Sequence, residues 1–322
     1  SFGVRYDQID TSGSLTEHHE EDGHDEEDHD EDHEEHEEET TNYSFDSSNL
    51  SFALDLSRPL NENLNLNLGY SNVERAPSVV ELFMNGPHLA TGRFETGDVN
   101  LSAETSSNFD IGLSYEVDNT YASITIFRND TDNYIYLMDM HDEDDHDDHM
   151  EAMDEDDHDE DHDDHGHAEG LIQAQYMQQN AELNGYELQI GRVFNLDAGD
   201  LEVSFSRDAV NGELADGMNI PRLSPARNIY SVEYTMDDYL FDLSFKDVED
   251  QKDVAEEETP TMGYQMLDTK VVKTFDLNGN SLRVSVFANN LLDEVARNHS
   301  SFVKNQVPLA GRNYGIRFNL TF

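Results

Sequence analysis

The chain has 322 residues, enough for one large domain or two ordinary ones, with no cysteine among them. Its 72 acids against 18 Lys and Arg give a formal net charge of −54, which argues against nucleic acid as a partner because phosphate binding needs clustered cations. The lack of cysteine excludes a disulfide framework and a thiolate metal site, and no run approaches the roughly 18 apolar residues of a membrane-spanning helix.

Taken in chain order, the predicted elements are strands. The first covers 2–10. The second, 43–60, alternates Leu50, Phe52, Leu54 and Leu56 with Asn49, Ser51, Ala53 and Asp55. After a turn at 61–63, the third covers 63–73 and alternates Leu64, Leu66, Leu68 and Tyr70 with Asn65, Asn67, Gly69 and Ser71. Strand 104–118 sets Phe109, Ile111, Leu113, Tyr115 and Val117 against Asp110, Gly112, Ser114 and Glu116. Further strands are predicted over 120–138, 171–195, 201–210, 227–236, 239–250, 264–276 and 281–290. The last, 311–322, alternates Tyr314, Ile316, Phe318, Leu320 and Phe322 with Gly315, Arg317, Asn319 and Thr321. Period-two alternation at this length means strands with one apolar and one polar face.

The connections alternate as well. Short turns near 61–63, 118–119, 196–200, 237–238 and 277–280 take turns with long segments at 11–42, 74–103, 139–170, 211–226, 251–263 and 291–310. The fold class expected is all-β: an antiparallel transmembrane β-barrel with about twelve strands present, its short turns in the periplasm and its long loops outside. A soluble β-sandwich or β-solenoid would also alternate, but Phe45, Tyr70, Tyr134, Tyr136, Tyr239 and Tyr314 near strand ends suit a tilted membrane strand and its aromatic girdles better. Alternation places Arg192, Arg283 and Arg317 toward the lumen.

Two of the long loops are almost wholly acid and histidine. Residues 17–39 hold six His, sixteen Asp or Glu and one Gly, and residues 139–167 hold seven His and seventeen acids. The histidines are His18, His19, His24, His29, His33 and His36 in the first tract, and His141, His146, His149, His158, His162, His165 and His167 in the second. The phrase from His29 through His33 to His36 repeats in residue type from His158 through His162 to His165. Imidazole nitrogen and carboxylate oxygen together are a ligand set for divalent cations, Zn2+ in particular. No fixed geometry is encoded, so several weak, exchangeable sites are expected in solvated loops without fixed structure. The negative potential would also concentrate cations before coordination. Acid alone would suit a merely solvating loop, but thirteen neutral histidines add nothing to such a charge. Met138, Met140, Met150 and Met153 flank or interrupt the second tract; they would suit a softer ion such as copper, or simply reflect loop composition.

The remaining loops carry more specific words. Arg75-Ala76-Pro77-Ser78, Glu81-Leu82-Phe83, Gly86-Pro87-His88-Leu89-Ala90-Thr91, Phe94-Glu95, Gly97-Asp98, Leu101 and Glu104-Thr105-Ser106 resemble TonB-dependent outer-membrane receptors. Asn184-Gly185-Tyr186-Glu187-Leu188, Phe287-Ala288-Asn289-Asn290-Leu291-Leu292-Asp293 and the terminal aromatic strand from Gly311-Arg312-Asn313-Tyr314 to Phe322 agree. Within that family, residues 86–91 and His299-Ser300-Ser301-Phe302 are most similar to zinc-uptake receptors of the ZnuD type. The resemblance implies a 22-stranded barrel with a plug domain, so residues 1–322 would be the C-terminal barrel portion of a longer receptor; a self-contained twelve-stranded barrel is the alternative. It implies the outer membrane of a Gram-negative bacterium, lipid contact on one face, and energy coupling to the TonB–ExbB–ExbD complex through the plug. It also implies that His88 occupies a zinc-ligating position.

The expected function is therefore capture and import of zinc as transported cargo, with no resident cofactor. His88 and His299, the two histidines outside the tracts, are candidate ligands beside the thirteen within them. Metal ligation needs neutral imidazole, so uptake should weaken as pH falls through the histidine range. The alternatives are a receptor of the same build for nickel, copper or a metal chelate, and a passive porin or adhesin with acidic loops. No nucleophile–base arrangement, phosphate-cradling glycine loop or pair of catalytic carboxylates is found, so no enzymatic activity is expected. Arg75, Pro77 and Gly86 read as loop-shaping residues.

Overall fold

The structure, a computed structural model, describes residues 1–17, 39–140 and 170–322. The histidines of both tracts, and the expectation that the tracts lack fixed structure, lie outside the described residues.

Among the described residues, twelve long strands form one antiparallel wall: β1 (Phe2–Glu17), β2 (Glu39–Pro59), β3 (Leu64–Arg75), β6 (Glu104–Val117), β7 (Thr120–Asp139), β8 (Ile172–Leu196), β9 (Gly199–Leu214), β10 (Arg227–Met236), β11 (Tyr239–Val248), β12 (Tyr264–Leu277), β13 (Asn280–Asn289) and β14 (Asn313–Thr321). Each pairs with its neighbours in the chain order of this set, as an up-and-down barrel wall requires. Among the described residues β1 and β14 do not meet, so the wall is open along both edges. Between β3 and β6 lie three elements expected only as loop: helix α1 (Val79–Phe83), β4 (Asn85–His88) and β5 (Arg93–Thr96).

The period-two pattern becomes two faces. Leu54, Tyr70, Phe109 and Arg128 share one face by register, as do Ile190, Phe205, Tyr230, Phe245 and Leu267. Leu54 is 57% and Phe318 67% exposed to the surroundings. Apolar residues left open in a continuous band around a sheet are a lipid-facing surface. The opposite face is polar, with a groove lined by Asp242, Asp268, Lys270, Ser285 and Arg317. Glycines on that face make room for rings across the strand: a Cβ at Gly185 would lie 2.6 Å from Cζ of Phe127, its register partner.

Two expectations are corrected. Arg283 and Arg317 do face the polar side, but Arg192 does not. It pairs with Thr120 and Val203, shares the face of Ile190 and Phe194, and its guanidinium lies 5.2 Å from the Phe194 ring centroid. Its long stem lets the charge reach the membrane boundary from an apolar face. The second correction concerns the aromatics. The β7–β8 register shifts between Thr131 and Tyr134, where Asn133 has φ +58°. This bulge re-aims the strand above it. Tyr136 and Met138 then pack with Ala181, Leu214 and Ile220, while Ile135 packs with Leu82 and Leu101, and Phe45 joins the latter cluster. Tyr134, Tyr136 and Phe45 therefore belong to the core above the wall, whereas Tyr70 and Tyr314 remain exposed on the apolar face.

β1 and β2 also run further than their apolar alternation, pairing as far as Glu17 with Glu39. The stem beyond the apolar band is held by a backbone ladder that does not require alternating apolar side chains, so the hydrophobic pattern stops before the ladder does.

Candidate functional site

The segment between β3 and β6 is built by its own polar residues. Ser78 caps α1 in a capping box: its backbone N–H donates to Glu81 Oε2 at 2.6 Å, and its hydroxyl accepts from the Glu81 N–H at 3.3 Å. Arg75 grips Glu81 at 2.8 Å and Glu104 at 2.9 Å, tying the loop's entrance to its exit. Burial alone would raise the Glu81 carboxyl, but Arg75 and the Ser78 cap together hold it below the usual range. The loop-shaping reading of Arg75 thus has a concrete basis.

β4 and β5 form a hairpin in which His88 pairs with Arg93. The turn uses Gly92 at φ +67°, a conformation that glycine takes without strain. His88 Nδ1 lies 2.9 Å from Glu95 Oε1; the Glu95 side chain is 2% exposed and the His88 side chain 46%. An ionised carboxylate can only accept, so in that pairing Nδ1 is the donor and a neutral ring would keep its lone pair on Nε2. The Thr91 hydroxyl stands 2.8 Å from the same carboxylate oxygen and 2.9 Å from the His88 carbonyl. A histidine oriented by a buried carboxylate is the arrangement that metal-binding imidazoles use.

The hairpin is fastened to the stem of the second tract. Arg93, itself buried, donates to both oxygens of Asp139, at 2.7 and 2.5 Å. Asp139 ends β7, at the near end of the tract. At the far end, Ile172 N–H donates to Gly92 O at 3.2 Å, and β5 runs parallel to β8 from Arg93 opposite Ile172 to Thr96 opposite Gln175. On its other side the segment meets the stem of the first tract: a Cβ at Gly13 on β1 would lie 2.8 Å from the Phe83 ring of α1. The loop carrying His88 therefore bridges both tract stems.

His299 is placed quite differently. Its side chain is 1% exposed. Nδ1 lies 2.8 Å from Thr261 Oγ1 and 3.3 Å from Lys304 Nζ. Nε2 lies 3.1 Å from Glu258 Oε1 without the alignment of a hydrogen bond. Lys304 also donates to Glu258 at 3.0 Å, and the Arg222 N–H reaches the second Glu258 oxygen at 3.0 Å. Burial would raise the Glu258 carboxyl, but His299, the Arg222 N–H and Lys304 outweigh it and hold it at about 2. A buried lysine thus lies within reach of both this imidazole and the carboxylate. Beside this cluster, the Arg93 and Arg222 guanidinium groups both lie over the Phe302 ring, 4.8 and 4.1 Å from its centroid. Burial among these groups pulls Arg222 below its ordinary value, against the opposing pull of Asp139.

The structure does not unite His88 and His299, and among the described residues no group of three or more His, Asp or Glu has metal-holding spacing. Sequence reasoning gave no role to Glu95, Arg93 or Asp139. The available signal was Glu95 seven residues after His88 across a glycine turn, which is legible only once the segment is known to be a hairpin.

Residues 1–291 match the family described as TonB dependent receptor-like, beta-barrel. A stretch of 102 residues is 34% identical to the ferrienterobactin receptor of Escherichia coli K12, covering 29% of this chain and 14% of that protein. The copper transporter OprC superposes with a TM-score of 0.68 at 16% identity, over 87% of this chain and 41% of its own. The ferric-catecholate import receptor Fiu from K12 E. coli superposes with a TM-score of 0.58 at 16% identity, over 99% of this chain and 42% of its own. At these identities the two superpositions show the fold, and the chain spans less than half the length of each relative. The alternating wall, the loop words and the family match agree: the chain belongs to the TonB-dependent receptors of the Gram-negative outer membrane, as part of their β-barrel.

Proposed function

We propose that this barrel belongs to a receptor that captures a divalent cation outside the cell, zinc before others, for import. The reading rests above all on the His88–Glu95 pair, whose free Nε2 stands on a hairpin fastened to both ends of the second His/acid tract. In this reading the tracts gather the ion by charge and weak ligation, and His88 supplies one pre-oriented ligand at the mouth. Further ligands come from the tract histidines or from parts of the receptor beyond this chain. The open edges of the wall are closed by further strands of the same receptor, since an unpaired edge is not viable in lipid. Transport is coupled to TonB–ExbB–ExbD through a plug domain, and nothing covalent is done to the cargo.

Copper and ferric chelates, the cargos in the names of the relatives, are the rival readings. An anionic chelate would meet the repulsion of a chain at −54, whereas a bare cation is drawn in. Zinc titration of the intact receptor tests the proposal, with copper, nickel and calcium as competitors. The expected result is zinc binding that weakens about tenfold or more in His88→Ala and resists excess calcium. Zinc binding no tighter than calcium, or unaffected by His88→Ala, would end the zinc reading.

A further inference from the structure

The lipid-facing side of the wall carries its charges in two bands of different sign. Toward the loops the outward charges are mostly acids, and the arginines among them are held by carboxylates. Arg128 binds Asp130 at 2.8 Å and Glu182 at 2.7 Å, and Arg207 binds Glu249 at 2.6 Å. Toward the short turns the outward charges on the strands are Arg58, Arg192 and Lys273. Register settles their face: Arg58 pairs with Leu66, Arg192 with Val203, and Lys273 with Tyr239 and Val284. Among the described residues none of the three forms an ion pair, although Glu62, Asp197 and Asp238 stand in the neighbouring turns.

Depth agrees with a membrane boundary. On β8, Arg192 lies ten residues from Glu182, which at ~3.3 Å per residue and a tilt of about 45° is roughly 23 Å along the membrane normal. That is about the height of the apolar band of such a barrel, so Glu182 and Arg192 mark its two boundaries.

Aromatic rings hold two of the cations at that level. Lys273 Nζ sits 3.8 Å from the Tyr239 ring centroid, donates to its hydroxyl at 2.6 Å, and lies 5.3 Å from the Phe275 centroid. Arg192 lies over Phe194. The three cations sit on β2, β8 and β12, each four strands from the next in sheet order. At ~4.8 Å per strand that is about 19 Å, too far for one ligand to bridge and comfortable for one lipid each.

We propose that Arg58, Arg192 and Lys273 are a belt of phosphate contacts that takes anionic phospholipid headgroups of the periplasmic leaflet, one headgroup per cation. Cations without an ion pair at an apolar–polar boundary, with the outward-facing carboxylates of the strands confined to the opposite boundary, have the charge and depth of that leaflet's phosphates. The belt also fixes the depth and tilt of the wall, because each cation reaches its phosphate at only one level. The proposal rests on the orientation of the barrel and is independent of the cargo.

The test is native mass spectrometry of the intact receptor, stripped of lipid and titrated with phosphatidylglycerol or phosphatidylcholine. The variants are Arg58→Gln/Arg192→Gln/Lys273→Gln and the charge-keeping Arg58→Lys/Arg192→Lys/Lys273→Arg. Phosphatidylglycerol retention in the glutamine variant is expected to fall by roughly fivefold per cation removed, with phosphatidylcholine retention unchanged and the charge-keeping variant like the wild type. Unchanged phosphatidylglycerol retention, equal loss of both lipids, or equal loss in both variants would overturn it. Should the triple glutamine variant fail to fold, the three single variants carry the same test, each expected to lose one bound phosphatidylglycerol.

Discussion

His88 and His299 sit in loops on the same rim of the wall, yet one turns its ring toward solvent and the other is enclosed by protein groups on both sides. His88 has a buried carboxylate behind it and solvent in front. His299 is enclosed by Glu258, Thr261 and Lys304, and works as a rivet between two loops. The difference shows that the neighbours of a loop histidine decide whether its ring is presented to solvent or enclosed. A carboxylate alone leaves the imidazole available to a cation, and a lysine beside the carboxylate fills that place.

The comparison can be broken most forcefully at Glu258. Glu258→Gln leaves Lys304 buried without its counter-charge, and is expected to cost about 3–5 kcal/mol, read as a fall in the urea unfolding midpoint of the receptor in micelles. The pH dependence has a definite sign. The Glu258 carboxyl is at about 2 when folded, against 4.5 as its reference, so its contribution is complete above that reference and is lost as pH falls toward 2. The stability gap between wild type and Glu258→Gln should therefore be constant near neutrality and shrink below about pH 4.5. A gap that widens on acidification would refute the assignment.

The two histidines should then separate cleanly. His88→Ala is expected to weaken zinc binding by roughly ten- to a hundredfold with stability changed by less than about 0.5 kcal/mol. His299→Ala should leave zinc binding alone and cost about 1–3 kcal/mol. If His299→Ala abolished binding instead, the strut reading would fall. Glu95→Gln sharpens the pair further: it keeps the side-chain volume but removes the carboxylate that orients Nδ1–H, and calorimetry should show about tenfold weaker zinc binding. The smallest effect is expected at the loop entrance, where Ser78→Ala removes the cap of α1 at a cost of about 1 kcal/mol. Faster amide exchange confined to residues 79–83 would be its signature.

Much of the wall was legible in the sequence because a barrel strand solves one problem repeatedly. Lipid on one side and water on the other force alternation, so Leu50 to Leu56 and Tyr314 to Phe322 announce both strand and face. Where that boundary condition ends, legibility ends. The stem of β1 and β2 beyond the apolar band has no alternation to read. Above Thr131 a single bulge reverses the sense of the pattern, and Tyr134 and Tyr136, which look like interface aromatics, become core. Arg192 was misplaced for a related reason: alternation says that a charge avoids the apolar face, but a long side chain near the boundary satisfies both. The site was less legible still. The motif containing His88 pointed to a loop of interest, while its partners Glu95, Arg93 and Asp139 come together only through a hairpin and a parallel pairing with β8.

By itself, then, the sequence determined the strands of the wall among the described residues, its two faces and the rim on which the long loops stand. These follow from composition and local periodicity, which each strand carries alone. Tertiary structure decided which histidine faces solvent, what holds the stem of the second tract, and which cations look into lipid. Those outcomes depend on groups tens or hundreds of residues apart meeting at hydrogen-bond distance, as Arg93 does with Asp139 and with the carbonyl of Phe302.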